Sequence, residues 1–390
     1  MASYDQIAKN NWRYRISLGK NPQTGKYEYI SKTGFQRKSD AKHHAEMVER
    51  QIRNNEYIAP SAHTFSYIAD EFINHYRKDA KVSSVRAREK AIKHAKVAFG
   101  DKAIQSITKH QYQQFVDDIS TRFSKNYVDS IVASTNLVFK YALDMNLLKK
   151  LPNEGIKRPK QKVTVEELEH TELKQKFLEK EELFEFLNVA KNDHPPLNSF
   201  ELFTLMAYSG CRAGEILALK WSDVDFDNYT INITKTYYNP NNNKKNYQIL
   251  TPKTNASIGK LSIDPHVIKL LKDYKVNVQD KWKNELYVDN NFVFTDNNGY
   301  PLVIKKLSQW IQSIMSKTNI DKNITTHSFR YTHCALLIEA GVHIKEIQER
   351  LRHKDINTTM NIYAKITDSY KKDASQKFSQ LMENVSKELF

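Results

Sequence analysis

Prolines and glycines interrupt this chain at two places, and those breaks decide how it can fold. "NEYIAPSAHT" around Pro60 ends one pattern, and Pro152, Gly155 and Pro159, in a charged run, end the next. From Thr64 to about Leu151, between the breaks, the chain reads as helical. Phe65, Ile68, Ala69, Phe72 and Tyr76 recur at the spacing of one helix face. The segment reads as a bundle of roughly four or five helices. Its edges are basic, with Arg86, Arg88, Lys90, Lys93, Lys96 and Lys125. Taken alone, it is a plain helical domain.

Before the first break the period changes. Trp12, Tyr14 and Ile16 alternate with Arg13, Arg15 and Ser17, the period of a half-buried strand. Asn21, Pro22 and Gly25 supply a turn, after which Tyr27, Tyr29 and Lys32 resume the alternation. "KSDAKHHAEMVERQIRNN" follows as a helix with Ser39 or Asp40 as its cap. A small three-stranded sheet plus a helix is expected. Lys9, Arg13, Arg15, Lys20, Lys26, Lys32, Arg37 and Lys38 face only Glu28 in this stretch. Two readings stand: a solvated sheet face, or a sheet laid into a DNA groove with basic and aromatic side chains against backbone and bases.

Charge points the same way without deciding it. Lys plus Arg outnumber Asp plus Glu by 60 to 45 over 390 residues, a formal charge of +15, which favours a polyanionic partner. The two cysteines, Cys211 and Cys334, lie in apolar helix-like contexts. They fit a reducing compartment and exclude a cysteine-based zinc finger. "MASYDQIAKNNWRYRISLGK" has no apolar leader core, and no apolar run approaches the roughly 18 residues of a membrane span. A soluble, intracellular protein with no membrane partner is expected.

Chemistry is concentrated after the second break. A compact segment opens near "FLEKEELFEFLNVA" with helices, passes through an antiparallel sheet marked by Tyr229, Ile231 and Ile233, and returns to helices. In "LFTLMAYSGCRAGEILALKWSDVDF" one helix ends near Tyr208, and another starts at about Arg212 with Glu215 one turn on. An arginine so placed is held in a fixed orientation. Arg212 and Arg330 would fork onto the non-bridging oxygens of a phosphate. Lys253, in a turn, would act as general acid, with His327 and His353 exchanging protons or bonding the same phosphate. Tyr363 would be the nucleophile. Phosphoryl transfer rests on positioning and charge neutralisation, so this set calls for no metal or other cofactor.

The succession "SGCRAGEI", "PKTNAS", "HSFR" and "LRHKDINTTMNIYA" resembles the tyrosine recombinase (lambda-type integrase) family from roughly Phe177 to Tyr370. The helical segment resembles that family's core-binding domain, and the N-terminal sheet resembles the arm-binding domain of phage and conjugative-transposon integrases. The resemblance implies an arm-type DNA-binding domain over 1–60, a core-binding domain over 63–155 and a linker over 156–172. A catalytic domain over 173–370 and a tail helix over 371–390 complete the chain. The fold class is multidomain α+β, with a mainly helical catalytic domain holding a small antiparallel sheet. Function follows as expectation: a site-specific recombinase that integrates and excises a mobile element through a 3′-phosphotyrosine link, without metal or ATP. Arg212, Lys253, His327, Arg330, His353 and Tyr363 are the implied catalytic residues, with Glu215 steadying the site. Arm contacts would come from Arg13, Arg15, Lys20, Lys26, Lys32, Arg37 and Lys38. Partners would be double-stranded DNA at core and arm sites, a homo-tetramer on that DNA, and an accessory host factor or excisionase, in the cytoplasm and nucleoid of a bacterial cell.

Alternatives remain at this level. A type IB-like topoisomerase shares the active site, and a catalytically silent regulator would share the scaffold. Lys244, Lys245 and Lys260 lie in the same sheet as Lys253, and Tyr331, Tyr370, Tyr237 and Tyr238 compete with Tyr363. Arg352 stands where the family often has Gly, Phe329 where Leu is commoner, and Lys365 where His is frequent. Phe378, Leu381, Met382, Val385 and Leu389 form an apolar stripe that must dock on this domain or on a neighbouring protomer.

Overall fold

A computed structural model describes residues 2–20, 25–54, 57–58, 62–159, 176–193, 198–252, 257–282, 285, 287–352, 356 and 359–360. The chain forms two compact units, 1–162 and 163–390.

In the first unit, β1 (Ala2–Ala8), β2 (Asn11–Lys20) and β3 (Tyr27–Phe35) form an antiparallel sheet in the order β1-β2-β3, followed by α1 (Lys38–Arg53). Alternation decides its two faces. Tyr14 and Ile16 are buried against Ala45 and Val48 of α1, while Arg13, Arg15 and Ser17 point the other way. The helix begins two or three residues earlier than Ser39 or Asp40 as a cap would allow. Arg37 is its N-cap and contributes no side-chain bond; the Arg37 carbonyl closes the first turn, and Ser39 Oγ bonds instead to Asp40.

Four helices follow: α2 (Phe65–Tyr76), α3 (Val82–Phe99), α4 (Lys109–Arg122) and α5 (Lys125–Asp144). Thr64 caps α2 through the Tyr67 amide, and Thr108 with Gln111 forms a capping box on α4. The stripe read from the sequence is buried at Phe65, Ile68, Ala69 and Phe72. Phe139 of α5 is fully buried, its ring centre 5.5 Å from those of both Phe65 and Tyr112.

The second unit is built round two almost wholly buried helices. They are α7 (Ser199–Ser209), which follows α6 (Lys180–Asn192), and α11 (Ser328–Glu339). Phe186, Phe203 and Phe329 join α6, α7 and α11 with ring centres 5.1–5.3 Å apart. Phe329, in place of the commoner Leu, therefore keys the helix that carries Arg330. Between the helices come α8 (Ala213–Leu217), β4 (Val224–Asp225), β5 (Thr230–Ile233), β6 (Thr236–Tyr238), β7 (Gln248–Leu250) and β8 (Gly259–Ser262). After these come α9 (Pro265–Trp282), α10 (Ile304–Met315) and, beyond α11, α12 (Ile344–Leu351).

The expected antiparallel sheet is present as β4-β5-β8, with Ile231 and Ile233 buried, and a separate hairpin β6-β7 stands beside it. The chain leaves one for the other at Thr234–Lys235, where Lys235 pairs with Asp223 at 2.6 Å. Linker residues 160–172, the tail stripe and Lys365 lie outside the described residues. Among those described, no helix is long and apolar enough to cross a membrane.

Phe139→Ala removes a fully buried aromatic ring, so the bundle should lose about 3–5 kcal/mol. Urea unfolding of the 1–162 unit, compared with the parent, measures this.

Candidate active site

The end of α7 and the end of α12 converge on one guanidinium of α11. Arg330 is 2% exposed. Its Nη1 donates to the Gly210 carbonyl at 2.7 Å and its Nη2 to the Leu351 carbonyl. Gly210 is the C-cap of α7 and Leu351 the last residue of α12, so one cation meets two helix C-termini, where unpaired carbonyls carry partial negative charge. Burial first, then Arg212, lowers its pKa to about 10, and the Glu215 carboxylate opposes that shift. Arg330 stays charged at neutral pH.

Gly210 is required where it stands. Its φ is +62°, and a Cβ there would lie 2.7 Å from the His333 ring and 2.8 Å from Leu351. Two residues on, Arg212 caps α8. Its Nη1 donates to Glu215 Oε1 at 2.9 Å, and its amide to Glu215 Oε2 at 3.1 Å. Its side chain is 40% exposed, against 3% for Glu215. The fixed orientation expected of Arg212 is thus supplied by Glu215. Gly214, within α8, lets the β6-β7 hairpin approach: a Cβ there would meet Thr236 Oγ1 at 2.6 Å. Lys253 follows that hairpin by three residues.

His327 precedes α11 and is exposed, its ring edge-on to Tyr331 at 4.8 Å. Partial removal from water, then Arg330 and Arg212, pull its pKa below the usual imidazole value. It is therefore neutral at pH 7 and able to take a proton. The structure thus brings together Arg212, Glu215, Arg330 and His327. Lys253, His353 and Tyr363 lie outside the described residues. Of the competing lysines, Lys244 pairs with Asp296 at 2.7 Å, and Lys260 is exposed on β8. Tyr237 is buried, with its phenol bonded to Asn239 and its pKa raised by burial. Tyr370 is not among the described residues. Both cysteines are fully buried, and burial pushes the Cys334 thiol up to about 12, far from reactivity.

Sequence reasoning missed two residues. His333, which no sequence motif singles out, is buried between helices. Its Nδ1 donates to the Ala207 carbonyl at 2.8 Å, and its Nε2 accepts from Arg350 Nε at 3.0 Å. Its spacing of one turn plus one residue from Phe329 was the available signal. Arg352, read only as a departure from Gly, reaches Glu215 with Nη2 at 2.8 Å. Among the described residues, no group of three metal-ligating side chains stands together.

In the N-terminal sheet, Arg15 lies over the Tyr29 ring at 5.4 Å and Lys20 over Tyr27 at 5.5 Å. Both tyrosines are more than half exposed. Arg13 is paired with Asp5 at 2.9 Å, Lys38 covers Trp12, and Lys26 and Arg37 are exposed. Lys32 pairs across from Tyr14, which puts it on the helix side, 3.2 Å from His44 Nε2 and apart from the open face.

Three family models match the chain along its length. The phage integrase family matches residues 176–369, the phage integrase N-terminal SAM-like domain 64–120, and an arm DNA-binding domain 3–52. The chain belongs to the phage integrase family. The integrase of Staphylococcus phage L54a is 28% identical over 354 residues, covering 86% of this chain and 98% of that protein. The ICEBs1 integrase of Bacillus subtilis is 26% identical, covering 97% of this chain and 100% of its own length. Among solved structures, the Tn1549 transposon integrase in complex with a circular intermediate DNA gives a TM-score of 0.62 at 20% identity, over 77% of this chain and 94% of that one. A lambda integrase tetramer bound to a Holliday junction gives 0.53 at 13% identity, over 92% and 94%. These two likenesses establish that the fold is that of the integrases.

His333 in this integrase supplies a pH test. Burial, then Arg350, lowers its pKa from 6.5 to about 4. Below pH 6.5 the unfolded chain takes up a proton that the native site refuses, so stability falls until about pH 4 and then levels. The shift corresponds to roughly 3 kcal/mol. His333→Gln should flatten the urea-unfolding stability profile across that window while lowering stability at pH 7.

Proposed function

We propose that this integrase is a site-specific tyrosine recombinase that cuts and rejoins DNA to integrate and excise a mobile genetic element. The observation that carries this reading is the pairing of two guanidiniums by one folded unit. Arg330 is clamped to the carbonyl two residues before Arg212, and Glu215 holds Arg212 itself. Two forked cations held this way suit the non-bridging oxygens of one phosphodiester. They neutralise the charge that gathers on the phosphorus oxygens as attack proceeds.

In the reaction, the Tyr363 hydroxyl attacks the scissile phosphorus and the bond to the 5′-oxygen breaks. That oxygen takes a proton from Lys253, and His327, neutral at pH 7, accepts or passes protons beside the phosphate. His353 donates a hydrogen bond to the phosphate. The product is a 3′-phosphotyrosine and a free 5′-hydroxyl. A 5′-hydroxyl of the partner strand reverses the step, so ligation draws on the ester already formed and needs no nucleotide. No step calls for a cofactor.

Arm-site DNA would meet the open sheet face, where Arg15 and Lys20 lie on exposed tyrosines, while Lys26, Arg37 and Lys38 serve phosphates from the rim. Arg13 joins them once its Asp5 partner yields, and Lys32 is the weakest of the seven because it lies on the helix side. The helical segment and the catalytic unit would grip the core site. A homo-tetramer assembles on DNA in the bacterial cytoplasm and nucleoid, with an accessory host factor or excisionase biasing direction.

A nicked duplex spanning the element–chromosome junction tests the chemistry. The parent protein should form an adduct that survives a denaturing gel, and Tyr363→Phe should form none. Tight binding by the parent without an adduct would favour the regulator reading.

A further inference from the structure

Arg352 is the residue that the reaction described above leaves without a task. Its backbone sits at φ +56°, ψ +44°, the left-handed region that favours glycine. An arginine held there does not follow from the turn alone. Its side chain is also withdrawn from water, with the residue 8% exposed. Nη2 donates to Glu215 Oε2 at 2.8 Å and lies 3.2 Å from Cys211 Sγ. Nε and Nη1 are buried with no hydrogen-bond partner among the described residues. A long, strained, half-satisfied cation at a position a glycine would fill more easily needs a compensating interaction.

Glu215 is that interaction. Its Oε1 accepts from Arg212 Nη1, while Oε2 is shared by the Arg212 amide and Arg352. A single buried carboxylate thus joins the start of α8 to the end of α12. The peptide after Arg352 leads directly into His353, and the Leu351 carbonyl just before it accepts from Arg330. Arg330 and Glu215 thus each join the start of α8 to the end of α12, and the Arg352 contact with Cys211 adds to them.

We propose that Arg352 is a positioning residue for strand cleavage: by clamping Glu215 it fixes the Arg212 guanidinium and ties the turn entering His353 to the same carboxylate. This rests on the recombinase reading and deepens it. Arg352 does not itself contact the phosphate. It acts through Glu215, so removing either partner breaks one and the same clamp. Three arginines about one carboxylate also leave a net positive pocket, which suits a phosphodiester as the incoming anion.

Arg352→Gly is the informative variant, because it relieves the backbone while deleting the clamp. Adduct formation on the nicked junction duplex should slow on the order of 100-fold, as for a misplaced catalytic group, with duplex affinity unchanged within about twofold. Glu215→Gln should slow it similarly, and the double variant should be no slower than the worse single one. Should Arg352→Gly fail to fold, Arg352→Gln carries the same expectation, and Arg352→Lys, which keeps the charge, should recover part of the rate. An unchanged rate in Arg352→Gly, or effects of Arg352 and Glu215 variants that multiply independently, would overturn the proposal. An absent adduct in the parent would instead defeat the recombinase reading, so the two failures are distinguishable.

Discussion

A buried guanidinium bound to two helix ends is the interaction on which the catalytic unit depends. Removing a cation from water is expensive, and Arg330 is buried almost completely. It is held because the carbonyls it meets, at Gly210 and Leu351, terminate α7 and α12, where helix dipoles leave negative potential. The same contacts place the two segments that carry Arg212 and Arg352 beside one another. Packing supports the arrangement from behind: Phe329, one residue earlier, is locked between Phe186 and Phe203. Core and site are therefore one construction, with the aromatic cluster aiming the arginine and the arginine gathering the loops.

Charge explains why the loops gather without collapsing into ordinary ion pairs. Arg212, Arg330 and Arg352 surround Glu215, the acid that the described hydrogen bonds bring to them. A balanced network would be satisfied and inert. This one is deficient in anion, and Arg212 keeps a partly exposed side chain on its open edge. Partial withdrawal from water, and then the positive field of Arg330 and Arg212, lower the pKa of the neighbouring His327, so the site offers cations and a proton acceptor together.

Much of this was legible in the sequence, for reasons that differ by element. Tyr14 and Ile16 alternate with Arg13 and Arg15 because a strand has two faces, and Phe65, Ile68, Ala69 and Phe72 repeat because a helix buries one. Arg212 with Glu215 at i+3 could be read because a helix start brings those positions within reach. The helix end near Tyr208 and the new start at about Arg212 were legible too, and the left-handed Gly210 lies between them. Lys32 could not be assigned correctly, since bulges shift the β2-β3 register and set which side it takes. Nor could Arg352: its partner lies 137 residues away in the chain, and only tertiary folding brings α12 to α8. The start of α1 was misread by the same limit, because Ser39 resembles a cap until its hydroxyl is seen on Asp40.

The central claim is that these guanidiniums act by neutralising a phosphodiester. The direct test replaces one non-bridging oxygen of the scissile phosphate by methyl, which removes its negative charge. Arg212→Ala keeps the buried anchor at Arg330 and should cleave the ordinary nicked duplex on the order of 100-fold more slowly than the parent. On the methylphosphonate duplex the account predicts that most of that deficit disappears. Equal impairment of Arg212→Ala on both substrates would contradict it.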